Sequence, residues 1–228
     1  MDNRNDFIQR VCQSLGRDNI VATLSPFTRP NEVQFEFLSA ASVEQLREVF
    51  ITNARAAGTI VYECALSEVN DTILTSIPDL SAGPILLSDD EFWQQHNTVS
   101  ALKTIEPQVD VWDLSKSRET NIACAEKAAV GLAVASLALA ETGTVMLSSY
   151  KGCGRSVTLL PTTTLFIIDQ NTIVPRLTQA MTRIEEIRQR GLPSAINFIS
   201  AASSTSDIEL VRVQGVHGPM RIAYIVIR

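Results

Sequence analysis

Four short stretches of this chain gather residue types that can hold an anion or move a proton. In Glu141-Thr142-Gly143-Thr144 a carboxylate ends an apolar run and a glycine turn follows. Strand ends of α/β sheets line ligand crevices, so a carboxylate there can orient donors; a solvated turn explains the letters equally well. In Gly152-Cys153-Gly154-Arg155-Ser156 two glycines let backbone N–H groups approach a ligand, and a guanidinium chelates carboxylate or phosphate bidentately. A hairpin loop with an exposed arginine fits too, and the third glycine of a dinucleotide fingerprint is missing. Ser203 to Ser206, with Asp207 and Glu209, supply hydroxyls and acids that bind a ligand or cap a helix. Gly215 to Pro219 places His217 on a rigid turn, and imidazole is the group suited to proton transfer near neutral pH.

These stretches define one expected site. Glu141 and His217 are the candidate catalytic pair. Thr142, Gly143, Thr144, Gly152, Gly154, Arg155, Ser156, Thr205, Asp207 and Glu209 are the candidate ligand-binding residues, for a small carboxylate or a phosphate-bearing molecule. The stretch from Ala138 to Pro161 forms one wall, and Thr205 to His217 the other. His96 sits at a polar helix end without such a setting. Cys153 has no neighbouring histidine to activate it.

The elements that must position these groups are legible in part. Phe7, Ile8, Val11, Cys12 and Leu15 have helical spacing, and residues 1–41 read as a helix and connector appended to a domain at 42–228. Ser42 with Gln45 predicts a capping box and a helix running to Gly58. Strands are expected at Thr59–Glu63, Pro84–Ser88 and Val109–Leu114, with helices from Ser67, Asp89 and Glu119. That alternation predicts a parallel sheet covered on both faces. The Ala/Val/Leu run after Val130 predicts two short strands with a bend. Further strands are expected at Val145–Ser148, Val157–Leu160, Leu165–Asp169, Ala195–Ser200 and Ile222–Ile227, and an amphipathic helix over Ile173–Arg190.

Composition narrows the function classes. The 228 residues are 45% hydrophobic and 19% charged, ordinary for a globular domain. A net charge of −6 without a basic cluster argues against nucleic acid and anionic membranes as partners. Cys12, Cys64, Cys124 and Cys153 form no C-x-x-C pair, so no iron–sulfur or zinc motif is present and no metal site is expected. Sparse cysteines and an N-terminus without an apolar signal core suit the cytoplasm. The run Ala128–Ala140 is well short of the roughly 20 residues that span a bilayer.

The motifs A-E-T-G-T (140–144), G-R-S-V-T-L-L-P (154–161), T-S-D-I-E (205–209) and G-V-H-G-P (215–219) together resemble the LUD (lactate utilization) domain family. The resemblance implies a Rossmann-like α/β sheet with an added β-hairpin region, similar to the ribose-phosphate isomerase, glucosamine-phosphate deaminase and CoA-transferase fold group. It implies a part in oxidising L-lactate to pyruvate as a non-cluster subunit beside iron–sulfur lactate-utilization partners, with any cofactor of its own unknown. The N-terminal helix allows a homodimer. Two departures stand out: Ser204 replaces the basic residue usual before the T-x-D-I-E segment, and Gly131–Ser136 is less polar than the family's pattern. In outline Glu141-Thr142-Gly143 is similar to the nucleophile turn of acyl-CoA transferases. That leaves open a stand-alone enzyme acting on a phosphorylated sugar or acyl-CoA, and a ligand-sensing assembly module.

Overall fold

A computed structural model describes residues 2–17, 31–150, 152–189, 191–206 and 213–228. Two compact units emerge, residues 1–33 and 34–228. The first contains α1 (Asp2–Ser14), whose Phe7 and Val11 are exposed, as is Leu15 just after it.

In the larger unit, α2 (Val43–Ala56) opens with the expected reciprocal cap: Ser42 Oγ accepts the Gln45 N–H, and Gln45 Oε1 accepts the Ser42 N–H. The chain then alternates through β1 (Ile60–Cys64), α3 (Val69–Leu80), β2 (Ile85–Leu87), α4 (Glu91–Gln95), α5 (Thr98–Leu102), β3 (Val109–Val111), α6 (Arg118–Lys127) and β4 (Val130–Val134). It continues through β5 (Leu137–Leu139), β6 (Thr144–Ser148), α7 (Ser156–Leu159), β7 (Thr163–Asp169), β8 (Ile173–Val174), α8 (Leu177–Arg188), β9 (Ile196–Ile199), β10 (Ser204–Thr205), β11 (Val213–Gln214) and β12 (Arg221–Ile227).

Six strands pair in parallel in the order β1-β12-β7-β4-β2-β3, the covered parallel sheet that the alternation predicts. Side chains leave a strand on alternate faces, so each central strand feeds two cores. Ile222, Tyr224 and Val226 join Phe166, Ile168 and Ala133 against α2. Ala223, Ile225 and Ile227 join Leu165, Ile167, Leu132 and Leu87 against α3, α4 and α5. A second sheet, β8-β5-β6-β9, lies over the first face and is the added β-hairpin region. Its far side packs on Ala180 of α8.

Two elements differ from expectation. Val157–Leu160 is not a strand; Ser156–Leu159 is a single helical turn, α7. Four residues, three of them apolar, are too few to separate the two periods, and here tertiary packing decides. Gly131 of β4 lacks a side chain where the Val157 carbonyl and Pro161 press in, so α7 lies directly on the sheet. Likewise the helix expected from Ile173 starts at Leu177. Pro175 disfavours helical backbone at Val174, and Ile173–Val174 pairs with β5 instead. Arg190 lies outside the described residues.

Candidate functional site

The second sheet distributes the sequence-predicted residues along its length. At one end, Arg176 holds the Glu141 carboxylate with Nε at 2.9 Å and Nη2 at 2.5 Å, and the guanidinium lies 5.3 Å from the Phe37 ring centroid. Asn53 of α2 donates to the carbonyls of Ala140 and Glu141. Gly143 adopts φ +61° against the Ala54 backbone, where a side chain has neither conformation nor room. Thr142 Oγ1 and Thr144 Oγ1 are 2.6 Å apart, and Ser200 Oγ is 2.7 Å beyond. The buried Tyr224 hydroxyl donates to the carbonyls of Gly143 and Ile199, each at 3.2 Å, and burial pushes its phenol up.

The His217 turn is tied to the same end. Ser203 N–H donates to Pro219 O, and Gly215 N–H donates to Ser203 O, both at 2.9 Å. His217 is exposed. Thr205 pairs with Val213 across β10 and β11. Asp207, Glu209 and Lys151 lie outside the described residues.

Gly152, Gly154, Arg155 and Ser156 occupy the other end of β6. Its five residues rise about 3.3 Å each, so this group stands a strand's length from Glu141. Gly152 O accepts the Asp89 N–H at 2.7 Å, and Gly154 rests against the Trp112 ring. Arg155 is exposed at the start of α7. The structure therefore brings Glu141, Thr142, Gly143 and Thr144 to the end that carries the His217 turn, and sets the glycine loop apart. Burial pushes the Cys153 thiol up to about 12, with the nearby Asp90 charge adding to the effect, so it stays protonated near neutrality.

Strand order exposes a place that the motifs do not mark. The chain leaves β2 towards α4 and α5 on one face, and leaves the adjacent β4 towards the second sheet on the other. Such a reversal opens a crevice at the carboxyl ends of the strands. A cavity of about 520 Å³ begins there and extends to the end of β12. Its floor is Val134, Ile167 and Ile227, and one wall is Phe92, whose ring centroid is 4.5 Å from that of His96. Glu91, Asp90, Asp169 and Arg228 stand around the rim. Asp90 Oδ1 caps α4 through the Phe92 N–H, and Oδ2 accepts the Tyr150 hydroxyl at 3.1 Å. Asp169 Oδ1 accepts both Asn171 N and Nδ2 at 2.9 Å, which stiffens the loop after β7. An adjoining cavity shares Asp90 and Glu91 and includes Gly152, so the glycine loop does border this region.

Comparison with known proteins follows the same chain segment. The sequence profile of the LUD domain matches residues 47–227. The chain belongs to the LUD domain family. A protein of Geobacillus sp. strain WCH70 named "Lactate utilization protein C" is 36% identical over 231 residues, covering 99% of this chain and 95% of the relative. The protein of that name from Anoxybacillus flavithermus is 37% identical, covering 97% of each. A crystal structure of a DUF162 family protein from Deinococcus radiodurans superposes with a TM-score of 0.59 at 17% identity, over 82% of this chain and 99% of that one. At that identity the likeness concerns the fold.

The LUD match runs from within α2 to the end of β12 and so includes every residue of the crevice except Arg228. Motif reading missed Phe92 and Asp169, each unremarkable beside its neighbours, and set His96 aside as a polar helix end. The available signal was positional: Asp89-Asp90 directly follows one apolar strand, and Asp169 ends another. Among the described residues no group of three or more His, Cys, Asp and Glu side chains is arranged to hold a metal ion. Among them, too, no helix is long and apolar enough to cross a membrane.

Proposed function

We propose that this LUD domain chain serves lactate utilization, as the subunit without an iron–sulfur cluster in a system that oxidises L-lactate to pyruvate. The observation carrying this reading is near-full-length similarity, at 36% and 37% identity, to proteins named "Lactate utilization protein C". Oxidation of the alcohol carbon releases two electrons and two protons; in this reading the electrons pass to clusters held by partner chains. The four cysteines are free and form no paired motif, which fits the non-cluster role.

The crevice at the carboxyl ends of β4, β7 and β12 is where this reading seats the small-molecule ligand. Glu141 then acts as a positioning residue, fixing the turn through Arg176 and Asn53. A covalent acyl transfer through Glu141 would first require its carboxylate to leave the Arg176 guanidinium. His217, on its exposed turn, is the residue that this reading assigns to moving a proton.

The test is genetic and biochemical. Deleting the gene for this chain is expected to abolish growth on L-lactate while growth on pyruvate continues. Lactate-dependent reduction of an artificial electron acceptor by the co-purified proteins is expected to fall with it. Unchanged lactate growth and electron transfer would remove the reading.

A further inference from the structure

The geometry points to a nucleoside-like ligand in the crevice, a flat heterocycle joined to a hydroxyl-bearing sugar, in place of the small carboxylate that the motifs suggest. This rests on the reading of that crevice as the ligand site. Three observations support it independently.

The first is size. About 520 Å³ falls within the roughly 300–1,000 Å³ of pockets that enclose drug-sized molecules. Lactate, with six non-hydrogen atoms, would leave most of it filled with water.

The second is charge. Asp90, Glu91 and Asp169 face the opening against the single guanidinium of Arg228. Three carboxylates in a concave rim reinforce one another's potential and disfavour an anionic ligand. Asp90 already accepts the Phe92 N–H and the Tyr150 hydroxyl, so Glu91 and Asp169 are the acceptors that suit a ligand bringing hydrogen-bond donors. Asp169 is already oriented, because Asn171 occupies Oδ1 from two sides and leaves Oδ2 for a donor. A carboxylate at a strand end accepting ribose hydroxyls is an established solution in open α/β sheets.

The third is the apolar surface. Phe92 is half-buried, with its ring backed edge-on by Trp93 at 5.2 Å and tilted against His96. With Val134, Ile167 and Ile227 it presents an aromatic wall beside an aliphatic floor. That combination recognises a π-face and is tolerant of which base supplies it. Trp93 itself is buried and donates its Nε1–H to Ser88 Oγ, which anchors the helix that carries Phe92.

Titration of the purified chain by calorimetry tests this, with the fluorescence of Trp93 and Trp112 together as a second readout. The probes are adenosine, guanosine, uridine and cytidine, then AMP and L-lactate. At least one nucleoside is expected to bind, its monophosphate more weakly, and L-lactate without measurable heat. Phe92→Ala is expected to weaken nucleoside binding roughly tenfold or more. Asp169→Asn keeps the loop geometry and removes one rim charge, so it is expected to narrow the preference for adenosine over AMP. Circular dichroism confirms that each variant is folded. The inference is overturned if none of the four nucleosides binds, if L-lactate or AMP binds more tightly than every nucleoside, or if binding survives both substitutions unchanged. Failure here together with lost lactate growth in the deletion strain would remove the ligand class and leave the role in lactate utilization standing.

Discussion

Glu141 illustrates how a single side chain changes meaning once its partners are seen. Alone it is a carboxylate at a strand end; in the fold it is half of a two-contact pair with Arg176, each side chain about a third exposed. Solvent screening limits such a pair, so a double-mutant cycle of Glu141→Gln and Arg176→Met should give a coupling of about 1 kcal/mol in urea unfolding. Tyr224 carries more. Removing its hydroxyl leaves the Gly143 and Ile199 carbonyls without that donor in the core, and Tyr224→Phe is expected to cost about 1–3 kcal/mol by the same measurement. Cys153 predicts a pH response. Its thiol ionises near 9.0 when unfolded and at about 12 when folded, so the stability gained by keeping it neutral is complete below pH 9. That stability is lost as pH rises through 9 to 12, and the raised Tyr150 and Tyr224 phenols act in the same direction. The urea midpoint should therefore fall above pH 9, less steeply in Cys153→Ala; a flat profile from pH 9 to 11 would contradict this.

Among the elements, the turn between β5 and β6 is the one whose failure should spread furthest. Gly143 is in the left-handed region and abuts the Ala54 backbone, so Gly143→Ala must both strain the turn and push α2 away. The cost should exceed the roughly 1 kcal/mol of an ordinary glycine replacement and reach about 3 kcal/mol or more, read as a lowered melting temperature. The other instructive element is α7. The letters Val157-Thr158-Leu159-Leu160, which overlap it, suit a strand as well as a helix, and a strand was the expectation. What the local sequence lacked was the gap over Gly131 that admits one compact turn. By contrast α2 was readable to its cap, because Ser42 and Gln45 satisfy each other without help from distant residues.

At the scale of the whole molecule, the sheet sets the site. Parallel strands need crossovers, the crossovers leave β2 and β4 on opposite faces, and the cavity opens where they part. Units 1–33 and 34–228 are each compact, and the LUD match begins at 47. A chain starting at Gln34 is accordingly expected to unfold in one cooperative transition, followed by circular dichroism. What the sequence determined by itself was whatever depends on near neighbours: alternating strands and helices, the α2 cap, the β5–β6 turn, and the four ordered motifs that carry the family resemblance. Its grouping of Glu141, Arg155 and His217 into one pocket depended on how far apart β6 holds its two ends, and local letters contain no such distance. Only the tertiary structure decided which strand ends face one another. Phe92, His96, Asp169 and Arg228, spread over more than half the chain, meet because the order of six strands places them at one edge.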